Sequence, residues 1–142
     1  MKNNMSNETT DTPLQQEGYD LMGAIFEVYN ELGFGLSEDI YQESLEMELA
    51  DRNIPFLSQD EIPVYYKTRR LKKKFRLDLL THGEIVVELK ACKDLLPEHE
   101  AQLINYLRLT RKRVGYLANF GSPKALQWQR IVINPQKLPP KN

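Results

Sequence analysis

Apolar residues in the first third of the chain recur at helical spacing. Leu21, Ile25, Val28 and Leu32 stand at i, i+4, i+7 and i+11, and Met22 and Tyr29 widen the stripe. This predicts a helix from Leu14 onward, stopped by Gly33-Phe34-Gly35, since glycine accepts the left-handed geometry of a helix end. Ser37 then reads as the N-cap of a second helix, with Glu38 and Asp39 where the helix dipole favours acids. Tyr41, Leu45 and Leu49 share one face of it, and Asn53 and Pro55 end it.

Beyond Pro55 the period changes to that of strands. Ile62 to Lys67 is rich in β-formers, a turn falls inside the basic run from Lys67 to Arg76, Phe75 to Leu80 alternates, and Glu84 to Ala91 is largely apolar. Pro97 suits the first turn of a third helix carried by Ala101, Ile104 and Leu107. Val114 to Phe120 reads as a strand closed by Gly121-Ser-Pro123, and Arg130 to Asn134 as a last short one. The predicted order is α-α-β-β-β-α-β-β, an α/β (α+β) domain over residues 14–134, with polar tails at 1–13 and 135–142 expected to be disordered. No repeat or long linker divides it.

Composition narrows the class. The chain has 142 residues, 41% hydrophobic and 27% charged, as in a globular protein able to bury a core without metal or disulfide staples. No apolar run reaches membrane-spanning length, and the first thirteen residues lack the apolar core of a secretory signal, so the cytoplasm is the expected compartment. The single cysteine, Cys92, forms no internal disulfide. It reads as a small core or strand-end residue, and with His82 and His99 far apart a zinc site is not expected.

The net charge of −1 conceals a split. Residues 1–61 hold 2 basic and 14 acidic side chains, whereas residues 62–142 hold 17 basic and 6 acidic. The basic excess has two clusters: Lys67, Arg69, Arg70, Lys72, Lys73, Lys74 and Arg76 in one, and Arg108, Arg111, Lys112 and Arg113 in the other. A charged hairpin is often a solvated edge that discourages strand pairing. Leading directly into the segment described next, it also suits tracking of phosphates. No helix-turn-helix or zinc-finger pattern supplies base readout.

The strand over Glu84–Ala91 carries the candidate chemistry. Side chains alternate, so Ile85, Val87 and Leu89 point one way and Val86, Glu88 and Lys90 the other. A carboxylate and an ammonium therefore share a face on a strand otherwise made for burial, where an unpaired charge is costly. Asp78 on the preceding strand joins that face if the hairpin loop is odd. A loop Thr81-His82-Gly83 would set Asp78 opposite Val86 and diagonal to Glu88, within about 8 Å at the backbone. Two carboxylates so placed resist joint ionisation unless a cation lies between them, and an oxygen-rich site suits Mg²⁺ or Mn²⁺. Spacing alone is equally compatible with a structural salt-bridge cluster.

Asp78 followed by Glu88-Leu89-Lys90 resembles the core of the PD-(D/E)XK nuclease superfamily, with Leu77 where that name has proline. Gly35-Leu-Ser-Glu38-Asp-Ile-Tyr41 is similar to the motif of the GxxExxY family within it. Gln102-Leu-Ile-Asn-Tyr106 resembles a Gln-x-x-x-Tyr helix motif of several branches, and Asn119-Phe120-Gly121 a further family segment. The resemblance implies a restriction-endonuclease-like core, a central mixed sheet flanked by helices. It further implies metal-dependent phosphodiester hydrolysis, with DNA favoured by analogy alone. Asp78, Glu88 and the Leu89 carbonyl would hold Mg²⁺ (or Mn²⁺), with Glu38 completing the cluster directly or through water. Lys90 would orient or deprotonate the attacking water, and Gln102 and Tyr106 would position water or phosphate. His99, one turn before Gln102, shares that helix face; His82 reads as a turn residue. The alternatives are a catalytically inactive module of the same fold that binds nucleic acid or protein, and a homodimer or protein complex held by the acidic first helices. The charge split predicts a basic rim around a small acidic pocket, with an acidic flank away from it.

Overall fold

The computed structural model describes residues 12–134. The tail expected at 135–142 lies outside the described residues, as does all but Thr12 and Pro13 of the one expected at 1–13. Among the described residues, no helix is long and apolar enough to cross a membrane.

Helix α1, Gln15–Leu32, buries Leu21, Met22, Ala24, Ile25 and Val28, the stripe that its spacing defines. Gly33 ends it at φ 70°, and its N–H donates to the Tyr29 carbonyl at 2.8 Å. Helix α2, Glu38–Asp51, buries Tyr41, Leu45 and Leu49. Ser37 stands at its N-cap in extended geometry but makes no side-chain capping bond, so Glu38 and Asp39 in the first turn supply the favourable charge there.

Five strands follow: β1 Phe56–Ser58, β2 Glu61–Tyr66, β3 Arg69–Arg76, β4 Leu79–Thr81 and β5 Ile85–Lys90. Helix α3, Pro97–Thr110, leads to β6 Val114–Asn119 and β7 Gln127–Val132. The succession of two helices, a run of strands, a helix and two strands is the predicted one. The central sheet has the order β1-β4-β5-β6-β7, with β5 and β6 parallel and the other pairs antiparallel. It is the mixed sheet flanked by helices that the resemblance implies. Strands β2 and β3 form a separate two-stranded ribbon.

Four features depart from the expected detail. The last strand, expected over Arg130–Asn134, runs over Gln127–Val132. Strand β1 is additional. The stretch Phe75–Leu80, read as one strand, is broken at Leu77–Asp78: Arg76 ends the ribbon and Leu79 begins pairing with the central sheet. Leu77 is buried and donates its N–H to the Asp60 carbonyl at 3.2 Å, a bond that proline could not make. The β4–β5 loop is odd as required but lies one residue on, at His82-Gly83-Glu84, since Thr81 pairs with Ile85. His82 and Gly83 both take positive φ there.

Each sheet face has its own core. Leu79, Ile85, Val87, Leu89, Tyr116 and Ala118 pack beneath α1 and α2. Leu80, Val86 and Leu117 pack with Leu103 and Leu107 of α3. The sequence motifs around Tyr41 and Phe120 meet in the first core, where their rings stack at 4.5 Å and 13°. The Tyr41 hydroxyl donates to the Gly33 carbonyl at 2.5 Å and accepts the Leu36 N–H at 3.2 Å, closing the α1–α2 turn. Gly121 next to it is obligatory for space: a Cβ would stand 2.4 Å from the Cys92 carbonyl oxygen. Removing the buried hydroxyl orphans both loop groups, so Tyr41→Phe is expected to lose about 2 kcal/mol of stability. Chemical denaturation would read this as a lower midpoint with an unchanged slope.

Candidate active site

Strand β5 has the face division that its alternation predicts. Ile85, Val87 and Leu89 lie under the first two helices, while Val86 packs with α3 on the face shared by Glu88 and Lys90. Continuing the β4–β5 register brings Asp78 opposite Glu88, rather than opposite Val86 as the sequence reading had it. Asp78 Oδ2 accepts the Leu89 N–H at 2.8 Å, and Glu88 Oε2 lies 3.5 Å from the Asp78 N–H. Each acid is thus tied to the other's strand.

Glu88 is only 8% exposed. Burial, and then the neighbouring Asp78 charge, push its carboxyl from 4.5 up to about 8, against a smaller downward pull from the Asp78 N–H and from Lys90. Lys90 acts on Glu88 through its charge without closing an ion pair, the only ion pairs among the described residues being Arg52–Glu48 and Arg76–Glu61. Tyr106 belongs to the same field: burial, then Glu88 and Asp78, hold its hydroxyl above the usual tyrosine range. Its ring meets Phe75 edge-on at 4.6 Å, which anchors α3 to the ribbon.

Asp78, Glu88, Leu89, Lys90 and Tyr106 are therefore brought together. Gln102 lies one helical turn before Tyr106, exposed and with no side-chain hydrogen bond among the described residues. Glu38 is exposed at the start of α2, one turn before Gln42, whose amide reaches the Asp78 carbonyl at 2.9 Å. Glu38 does not close a three-acid cluster: among the described residues no three His, Cys, Asp or Glu side chains are grouped to hold an ion. His99 is engaged elsewhere, its Nδ1 accepting the Leu96 N–H at 3.0 Å as a cap of α3.

The basic clusters adjoin. Lys67, Arg69, Arg70, Lys72, Lys73, Lys74 and Arg76 are exposed on the ribbon, which packs against α3. Arg111 has a structural place. Its guanidinium lies 4.4 Å over the Tyr65 ring and donates to the Lys67 carbonyl at 2.8 Å, while Nε and Nη1 are buried with no hydrogen-bond partner among the described residues. Lys112 donates to the Gly83 carbonyl at 3.2 Å, and Arg113 is exposed. The ribbon and α3 lie on the Glu88 side of the sheet, whereas α1 and α2, which carry half of the chain's acids, cover the other side. A cavity of about 600 Å³ lined by Tyr19, Phe26, Tyr116, Trp128 and Arg130 is on that other side, away from the two acids.

Sequence reasoning missed Gln42 and the part played by Asn119. The Asn119 amide is fully buried and bonds the N–H and carbonyl of Cys92, the Gly121 N–H and Gln127. It knits the segment after Lys90 to the end of β6. No local spacing signals either residue, because each acts on a segment more than 25 positions away.

The fold agrees with what similar proteins show. The crystal structure of SSO0001 is similar at 26% identity with a TM-score of 0.53, over 66% of this chain and 48% of that one. The chain thus spans about half the length of that protein. No curated protein matches the sequence. The family model of the PD-(D/E)XK nuclease superfamily matches residues 15–131, most of the chain, and the chain belongs to that superfamily.

Proposed function

We propose that the site hydrolyses phosphodiester bonds of nucleic acid with the help of Mg²⁺ or Mn²⁺, and that the chain is of the GxxExxY type. DNA is the substrate we favour. The observation that carries this reading is Glu88, buried and raised to about 8, opposite Asp78 and two residues from Lys90. A buried acid pair of this kind is a poor structural element, since one member stays protonated near neutrality. It is a good ligand set for a hard cation, which supplies the missing positive charge. Asp78, Glu88 and the Leu89 carbonyl would hold the ion, with Glu38 joining through water. When bound, the ion polarises the phosphoryl group and acidifies a coordinated water.

The remaining roles fall to side chains. Lys90 orients the attacking water and offsets charge on the phosphate. The Tyr106 hydroxyl, kept protonated by burial and by its acidic neighbours, donates a hydrogen bond to a phosphate oxygen. Gln102 on the same helix face does the same for substrate or water. Lys67, Arg69, Arg70, Lys72, Lys73, Lys74, Arg76 and Arg113 track the backbone on either side, while Arg111 and Lys112 hold the surfaces that present them. We read residues 14–134 as one domain acting in the cytoplasm, which suits the free Cys92.

Purified protein is expected to cleave DNA with Mg²⁺ or Mn²⁺ present. EDTA, Asp78→Ala and Lys90→Ala should each reduce cleavage to background without lowering the melting temperature by more than a few degrees. A preparation that cuts neither DNA nor RNA with either metal sinks the reading. The alternative, a non-catalytic binding module, is favoured by one observation: among the described residues only two acids converge. It predicts salt-sensitive nucleic-acid binding that survives both EDTA and Asp78→Ala.

A further inference from the structure

Asp78 lies outside both ladders, in the bend between β3 and β4, so its position is not fixed by regular sheet pairing. Its carbonyl accepts two bonds, from the Gln59 N–H at 3.1 Å and from Gln42 Nε2 at 2.9 Å. The same Gln42 nitrogen lies 2.9 Å from Glu46 Oε2 and 3.3 Å from Ser58 Oγ, and the Ser58 hydroxyl donates to Glu46 Oε2. Three oxygens therefore surround the Gln42 amide nitrogen. Turning the amide over would set its oxygen against a carbonyl and a carboxylate, so the donor end is held toward Asp78. Gln42 and Glu46 lie one turn apart on α2, and Ser58 ends β1, so the network ties a helix, an edge strand and the bend together.

We propose that Gln42, oriented by Glu46 and Ser58, is a positioning residue that holds the Asp78 bend in the geometry needed to bind the divalent cation. The proposal rests on the nuclease reading and adds to it the element that sets the acid in place. With the Asp78 main chain fixed, one carboxylate oxygen stays on the Leu89 N–H and the other remains available to a cation or its water. Groups that orient a ligand in this way typically change metal affinity 10- to 100-fold when removed. The role is distinct from packing, because Gln42 is only partly buried and its aliphatic stem can be kept.

Gln42→Met keeps the size of the side chain and removes the donor. Calorimetry with Mg²⁺ alone is expected to show binding at least about tenfold weaker than in the parent. Cleavage should need correspondingly more Mg²⁺ and then reach within about threefold of the parental kcat, an affinity effect rather than a catalytic one. In the metal-free protein, hydrogen exchange at the Leu89 amide should quicken by about tenfold as the Asp78 carboxylate loosens its hold. Ser58→Ala, a milder change, should move both readouts the same way by about threefold, and it stands in if Gln42→Met does not fold. A lower melting temperature with unchanged Mg²⁺ affinity and unchanged Leu89 exchange would make Gln42 merely structural and overturn the proposal. If the parent binds no Mg²⁺, the nuclease reading fails by itself; quickened Leu89 exchange then still supports the hold on Asp78, and unchanged exchange removes it.

Discussion

In metal-free protein at pH 9, Glu88→Gln is expected to melt about 10 °C above the parent, a lead that shrinks to about 2 °C at pH 5. The folded-state carboxyl titrates near 8, against 4.5 in the unfolded chain. Between those values the folded protein holds a proton that the unfolded chain has lost, so stability falls as pH rises. Below 4.5 both states are protonated and there is no penalty; above 8 both are ionised and the penalty is complete, with an upper bound of about 5 kcal/mol. The glutamine amide keeps the shape of the protonated acid and never ionises. It also retains an oxygen to accept the Asp78 N–H. The same substitution removes a proposed metal ligand, so cleavage should drop by roughly 10³-fold or more. Mg²⁺ at pH 8 should raise the melting temperature of the parent and leave that of the variant unmoved. Melting temperatures that run parallel from pH 5 to 9 would show that Glu88 is not a strained acid, and the argument for a cation between it and Asp78 would fall with it.

A single exchange that both stabilises the protein and silences it would mark a residue kept for chemistry. The tension was legible in the sequence. Two-residue periodicity forces Glu88 and Lys90 onto one face of a strand whose other members are apolar, and the structure has them there. The helix stripes were legible for the same reason, since a period in the sequence becomes a face in space.

The register of Asp78 was not legible. Loops at 81–83 and at 82–84 are both odd and both keep Asp78 on the Glu88 face, so patterning could not choose between them. The left-handed backbone at His82 and Gly83 chose the second. The break at Leu77–Asp78 escaped notice because alternation continues straight through it; long-range bonds to Asp60, Gln59 and Gln42 take the chain out of the ribbon. Charge was legible in amount but not in duty. Arg111 counts as one more cation in the sequence, yet its guanidinium lies on Tyr65 beneath the ribbon. The separation of acidic helices and basic ribbon onto opposite sheet faces depends on topology, which one chain's composition does not encode.

Asn119→Asp tests the part of the site least visible in sequence, and it should cost about 4 kcal/mol at pH 8. The Asn119 side chain is 0% exposed and uses both its ends. Its oxygen accepts the N–H groups of Cys92 and Gly121 at 2.9 and 3.0 Å, and its nitrogen donates to the Cys92 carbonyl and to Gln127 Oε1, each at 2.9 Å. The substitution turns the donating end into a second oxygen that faces the Cys92 carbonyl. Neither acceptor can adapt: Gln127 is held in place by the Leu95 N–H at 2.9 Å and by Asp94 at 3.2 Å, and a backbone carbonyl cannot turn. A buried carboxylate in that position must either carry an uncompensated charge or take up a proton. Protonation restores one donor, so the deficit against the parent should shrink as pH is lowered toward 5, opposite in sign to the trend for Glu88→Gln, whose advantage becomes small there. The Phe120 N–H is bonded to the Lys90 carbonyl at 2.8 Å, so slack in this segment also reaches the proposed catalytic lysine. Cleavage by whatever fraction stays folded should therefore fall along with stability. Equal melting temperatures for variant and parent at pH 8 would mean that the Asn119 bonds do not hold the segment after β5, and that Lys90 is placed by its strand alone.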